Sequence, residues 1–190
     1  GSSNGINTSH FDPAIFDEAQ LDSLRKSLHI AKNDFVFIFV GRLVRDKGIN
    51  ELVNAFEKFS RDNHRVKLIL VGSYEKDLDP LEAETELIID TNPQIIAVGW
   101  QEDVRPFFAV SDVMVFPSYR EGFPNVVMQA GAMGLKCIAT NINGCNEIII
   151  EGKNGVLIPP KDEKSLKEQM ELAMANVKKD ESMNYCRHLI

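Results

Sequence analysis

The chain has 190 residues, 44% hydrophobic and 26% charged, with a formal net charge of −7. That length suits one sizeable core rather than two, and the composition argues against disorder. The acidic balance argues against non-specific nucleic-acid binding, which depends on neutralising phosphates, but leaves room for a small anion in a local basic pocket. Three cysteines (Cys137, Cys145 and Cys186) with no C-x-x-C pattern argue against a disulfide framework and fit a reducing, cytoplasmic compartment. The four histidines are scattered without metal-ligand spacing, so no metal or cofactor is expected. No signal peptide is read, and no apolar run approaches the ~18 residues of a membrane span.

In chain order, residues 1–34 lack a strand–helix rhythm and read as a lead-in segment and linker. "FVFIFVG", 35–41, is a continuous apolar run ending in glycine, as in strands buried on both faces of a parallel sheet. "INELVNAFEKFS" then places Ile49, Leu52, Val53, Phe56 and Phe59 at helical spacing. Further strands are expected at 66–72, 95–99, 112–118, 136–140 and 155–160. Helices are expected at 78–91, 102–110, 124–133 and 162–178, and a short helix or turn at 144–151. The helix over 124–133 has Pro124 in its first turn and Gly134 past its end. The folded domain is therefore expected to span 35–178, with 179–190 as a carboxyl-terminal tail. Strands alternating with helices predict an α/β fold: a Rossmann-like, open, mostly parallel sheet of about six strands with helices on both faces. Ligands of such sheets bind beyond the carboxyl ends of the strands, near the switch in strand order. That directs attention to residues 41–48, 72–77, 99–102 and 117–124.

The loop "GRLVRDKG", 41–48, sets Arg42, Arg45 and Lys47 between two glycines. It matches neither the P-loop nor the dinucleotide fingerprint, which disfavours a dinucleotide oxidoreductase. Cations at a strand's carboxyl end suit a diphosphate; the alternative is a solvated, charged turn. In "SYREGFPNVVMQAGAMG", 118–134, Glu121 stands at the same edge of the sheet. Gly122 allows close backbone approach there, and Pro124 starts a helix whose first free amides favour an anion. Asn125 and Gln129 share one face of that otherwise apolar helix. A Gln buried there needs partners, and neighbouring backbone could equally supply them. Cations, a helix amino terminus and an acid at its rim together suit a sugar nucleotide.

With both motifs in view, the sequence resembles the donor-binding domain of the retaining GT-B glycosyltransferases, specifically the GT4 group, over roughly 35–178. "SNGIN", 3–7, resembles the segment that leads into that domain. The resemblance implies catalytic roles for Arg42 and Lys47, which match the basic pair on the donor diphosphate. It implies the same for Glu121, which matches the first acid of an E-x7-E motif and would hold sugar hydroxyls. Gly41 and the segment Gly122, Phe123, Pro124, Asn125 and Val126 match loop positions against the donor. Gly72 and Ser73 match a further loop of the cleft, and Gly99, Trp100 and Gln101 lie where the nucleobase pocket forms. Gln129 falls on the motif's second acid, which holds ribose hydroxyls in the family. A Gln can still donate or accept there, without the charge-assisted bond.

The function that follows is the donor half of a retaining glycosyltransferase. It would move a sugar from a nucleoside-diphosphate donor, UDP by default, to a glycan or lipid-linked acceptor in polysaccharide synthesis. No D-x-D is present and no metal is required if the cations suffice. The family's enzymes have two such domains, so the amino-terminal acceptor half is expected to be absent from this chain. The full protein is expected at the inner membrane surface without spanning it. Rival readings are a nucleotide-sugar-binding module without chemistry, or a GT-B epimerase or phosphorylase.

Overall fold

The computed structural model describes residues 5–176 and 186–187. Among these, six strands form one parallel sheet: β1 Phe35–Val40, β2 Val66–Val71, β3 Ile95–Gly99, β4 Val113–Phe116, β5 Lys136–Thr140 and β6 Gly155–Ile158. Their order is β3-β2-β1-β4-β5-β6. β1 runs in register beside β2 from Phe35 against Val66 to Val40 against Val71, and pairs with β4 through Phe37 and Ile38. The central strand is apolar because both its faces are covered: Phe37, Ile38 and Phe39 have no exposed surface. This is the open, Rossmann-like α/β sheet expected from the alternating pattern.

Among the described residues up to 176, seven α-helices accompany the strands: α1 Glu18–Ser27, α2 Ile49–Ser60, α3 Ala83–Thr91, α4 Arg105–Ala109, α5 Asn125–Ala132, α6 Cys145–Ile148 and α7 Glu163–Ala175. Strand order grows outward in one direction through β2 and β3, then in the other through β5 and β6. Right-handed crossovers therefore set α2 and α3 on one face and α5 and α6 on the other. Contacts agree, with α2 packed on α3 and α7, and α5 packed on α6. The apolar stripe of α2 is fully covered, since Ile49, Leu52, Val53, Phe56 and Phe59 are each at most 2% exposed. The reversal of order falls between β1 and β4. The loops leaving those two strands are 41–48 and 117–124.

Several elements differ from the sequence expectation for local physical reasons. The helix expected from residue 78 starts only at Ala83, because Pro80 lacks an N–H and bars a helix through it. The helix expected from residue 102 starts at Arg105, where an Asp103 carboxylate oxygen takes the Arg105 N–H at 3.0 Å. α5 begins one residue after Pro124 and ends in a Schellman motif, with Gly134 N–H donating to Gly131 and Leu135 N–H to Ala130. β4 and β6 are each shorter than read, as the chain leaves the sheet before Pro117 and Pro159.

The lead-in segment, read as lacking a strand–helix rhythm, holds a helix. α1 carries a capping box: Asp17 accepts from Gln20 N–H, and the Gln20 amide oxygen takes the Asp17 N–H. Phe11, Phe16, Leu21, Leu24 and Leu28 pack against the core. Arg187 donates to the Phe11 and Thr8 carbonyls at 2.7 and 3.2 Å and also to Ala132. Residues 8–12 and 187 are thus fastened to the end of α5. Residues 3 and 4 of "SNGIN", the last residues of the helix expected over 162–178, and the tail apart from Cys186 and Arg187 lie outside the described residues.

Gly48, with φ 71°, holds the turn after Arg45–Lys47 against β4: a Cβ there would stand 2.1 Å from the Pro117 carbonyl oxygen. Gly48→Ala is therefore expected to destabilise the chain by about 3 kcal/mol. Gly122→Ala, whose Cβ meets nothing within 4 Å, should cost less than about 0.5 kcal/mol. Urea unfolding of the two variants checks this contrast.

All three cysteines are free and buried, and burial pushes each thiol above its usual range, Cys145 up to about 12. Thiolate is the reactive form. A chromogenic disulfide reagent near neutral pH should modify less than one thiol per folded chain, and all three once the chain is unfolded.

Candidate functional site

The carboxyl ends of β1, β2 and β3 are laced together by backbone bonds. Gly41 N–H donates to the Val71 carbonyl at 2.9 Å, and Gly72 N–H to that of Gly99 at 2.8 Å. Ser73 is linked to the first loop through Leu43 N–H at 2.8 Å. Beyond β1 the chain makes a 3₁₀ turn, Arg45–Lys47. This turn aims its charged side chains in two directions.

Lys47 reaches across to β4's loop and donates to Glu121 Oε1. Both side chains are only 15% exposed. The fully buried Ser118 hydroxyl lies 2.8 Å from the same oxygen. The two loops are also joined by Tyr119 N–H, which donates to the Asp46 carbonyl at 2.8 Å. Two residues singled out separately in the sequence, a cation and an acid, are thus one ion pair at the switch point.

Arg42 and Arg45 turn the other way. Arg42 pairs with Glu75 at 2.8 Å and Arg45 with Asp79 at 3.9 Å, each arginine about half exposed. With Arg120, Tyr119 and the two acids they line a hollow of about 520 Å³. The Tyr119 hydroxyl donates to Glu51; burial, then that bond, raises its pKa. A second hollow of about 330 Å³, lined by Phe35, Val113, Lys136 and Cys137, opens at the opposite, amino-terminal ends of the strands. Its place in the fold takes it out of consideration for a ligand of the carboxyl edge.

At the start of α5, the N–H groups of Asn125 and Val126 have no backbone acceptor among the described residues. Asn125 is exposed and Gln129 half-buried. The buried, partner-requiring Gln read from the apolar helix is therefore corrected: its amide reaches solvent on the same face as Asn125. Phe123 and Val126 pack partly against the core. The backbone of Gly122 is itself closely approached, by Gly144. A Cβ on Gly144, which has φ 81°, would fall 2.5 Å from the Gly122 carbonyl oxygen. Pro124 is buried beneath the same contact.

Gly99 ends β3 and Trp100 and Gln101 follow it, two strands from β1 and so about 10 Å away across the sheet. Trp100 is 70% exposed. The Gln101 side chain is turned back to donate to the Val98 carbonyl at 2.8 Å. Sequence reading missed Ser118, Glu75 and Gly144. Ser118 alone left a signal, three residues before Glu121 at the strand's end. Among the described residues there is no cluster of His, Cys, Asp and Glu that could hold a metal, and no helix long and apolar enough to cross a membrane.

The glycosyl transferases group 1 family profile matches residues 21–186. The chain belongs to that family. It is 34% identical over 174 residues to the capsular polysaccharide biosynthesis glycosyltransferase CapM of Staphylococcus aureus, covering 90% of this chain and 43% of that protein. The chain spans less than half the length of the curated relatives it matches. Among solved structures, the carboxyl-terminal domain of a glycosyl transferase group 1 protein, LpcC, from Francisella tularensis superposes with a TM-score of 0.80 at 24% identity, over 97% of this chain and 96% of that one. Anabaena Alr3699/HepE in complex with UDP and glucose gives 0.81 at 21% identity, over 97% of this chain and 50% of that one. These likenesses establish the fold as that of one half of a GT-B glycosyltransferase.

The buried pair predicts strong coupling. Removing one partner leaves a mostly desolvated charge, so Lys47→Ala and Glu121→Ala should each cost about 2 kcal/mol. The double variant should be less destabilised than their sum by about 1–2 kcal/mol. A double-mutant cycle by denaturant unfolding measures it; additive losses would show that the pair has no energetic link.

Proposed function

We propose that this chain is the donor-binding half of a retaining glycosyltransferase of the GT4 group. It takes a sugar from a nucleoside-diphosphate donor, with UDP as the favoured nucleotide. Transfer is to a glycan or lipid-linked acceptor in polysaccharide synthesis. The observation that carries this reading is the Lys47–Glu121 pair at the switch point, beside the free amides of α5. The Anabaena structure, with UDP and glucose bound to a fold of this type, supports the donor class. CapM, by its name a capsular polysaccharide enzyme, supports the pathway class.

The mechanism follows from charge. Departure of the nucleotide places negative charge on the diphosphate, and cations preorganised in a dry cleft stabilise it most. Arg42, Lys47 and the amides of Asn125 and Val126 supply that positive field. Lys47 and Arg42 are paired with Glu121 and Glu75. A bound diphosphate takes over part of that pairing, and Glu121 then offers its carboxylate to sugar hydroxyls. The Gln129 amide, facing solvent beside Asn125, donates to or accepts from a ribose hydroxyl. Gly41, Gly72 and Gly122 let the donor approach the backbone, and Trp100 and Gln101 flank the base. No metal is called for while these groups carry the charge.

The acceptor site belongs to an amino-terminal half that this chain does not include. That half brings the full protein to the inner face of a membrane by peripheral contact. The isolated chain binds donor without turnover. A binding module without chemistry is the second reading, favoured by an amide rather than a carboxylate at Gln129.

Thermal unfolding with millimolar UDP, GDP, ADP and NAD tests the proposal. One nucleoside diphosphate at 100 times its dissociation constant should add about 2.7 kcal/mol and raise the midpoint by roughly 5–10 °C. Arg42→Ala and Lys47→Ala should each abolish most of the shift. A shift with NAD alone would overturn the donor class.

A further inference from the structure

Glu121 uses its two oxygens unequally. Oε1 accepts from Lys47 and from the Ser118 hydroxyl, the latter at 2.8 Å, whereas Oε2 has no hydrogen-bond partner among the described residues. Ser118 itself cannot move freely. Its side chain has no exposed surface, and its carbonyl takes a bond from the Thr140 hydroxyl of β5. Its neighbour Tyr119 is tied through its N–H to the Asp46 carbonyl. The hydroxyl has a single proton. Three acceptors lie within reach: Glu121 Oε1, and the Arg120 and Asp46 carbonyls at 3.1 and 3.4 Å. The ionised carboxylate is both the nearest and the strongest, so the proton goes there.

Lys47 alone is a poor guide for a carboxylate. An ammonium on a flexible stem is a point charge and leaves the carboxylate free to rotate about it. A second donor at a fixed place removes that freedom. We propose that Ser118 is a positioning residue: it holds the Glu121 carboxylate with Oε1 against Lys47, so that Oε2 is the oxygen presented to a sugar hydroxyl of the donor. This deepens the donor-binding reading above and rests on it for the identity of the ligand. It also separates two jobs within one ion pair. The Oε1 side keeps Lys47 in the cleft, and the Oε2 side reads the sugar. Ser118 touches neither the sugar nor the diphosphate.

The simplest alternative is that Ser118 is only a small residue filling the end of β4. The two roles differ in what Ser118→Ala does. A crystal structure of Ser118→Ala should show the Glu121 carboxylate spread over more than one rotamer, where the parent chain has one. Calorimetry on the 190-residue chain with UDP, and with UDP-glucose, UDP-galactose and UDP-N-acetylglucosamine, should show the tightest UDP-sugar weakened by about tenfold while UDP changes less than about twofold. A single, unmoved rotamer in Ser118→Ala overturns the positioning role. Equal losses for UDP and UDP-sugar overturn its link to the sugar, since a merely loosened loop would weaken both. If the parent chain binds no nucleotide, the donor reading falls and the sugar half of the proposal with it; the rotamer comparison still decides whether Ser118 orients Glu121. Should Ser118→Ala not fold, Ser118→Cys, nearly the same shape with a weak donor, gives the same two readouts.

Discussion

The bond between Lys47 and Glu121 ties the loop after β1 to the loop after β4, across the line where the sheet reverses its strand order. Two charges this little exposed are costly unless they meet each other. Their meeting constrains what surrounds them. Gly48 must turn with positive φ for Lys47 to approach β4, because the Pro117 carbonyl leaves no room for a Cβ. Ser118 must be buried and small beneath the carboxylate. The Cys145 thiol, close enough to feel both charges, is held neutral by burial.

The fold makes this arrangement possible by separating duties between strand ends. The apolar strands and the α2 stripe supply the core and take no part in the cleft. The carboxyl ends carry every charged loop that the functional reading uses. At this edge the cations are already balanced: Arg42 by Glu75, Arg45 by Asp79 and Lys47 by Glu121. That balance lets a chain with net charge −7 keep a local anion site without a lasting positive patch. Exposed pairs such as Arg42–Glu75 are worth little and exchange readily for a stronger anion. The less exposed Lys47–Glu121 pair is the more selective of the two.

Much of the fold was legible because buried parallel strands advertise themselves. "FVFIFVG" and "VKLILVG" are too short for helices and too apolar for exposed strands. Helix starts were less legible, since they depend on single residues such as Pro80 and Asp103 acting against a periodic background. α1 was passed over although Leu21, Leu24 and Leu28 stand at helical spacing, because no strand precedes it to set the strand–helix rhythm. Within the site, the cations, Glu121 and the α5 start were visible from loop position. Gln129 was misjudged as buried, because helix composition does not say which flank of a helix is left uncovered.

The sequence by itself determined the order of strands and helices, and which loops lie at the ligand edge, because hydrophobic period and glycine or proline punctuation are local properties of the chain. It also determined that a cation-rich loop and an acid beside a helix start would share that edge. Only the tertiary structure decided that Lys47, and not Arg42 or Arg45, meets Glu121, a residue 74 positions away. It alone brought Ser118 beneath that acid and Gly144 against Gly122. Such pairings are set by strand order and by the direction in which a 3₁₀ turn points its side chains, and neither is written in the spacing of residues along the chain.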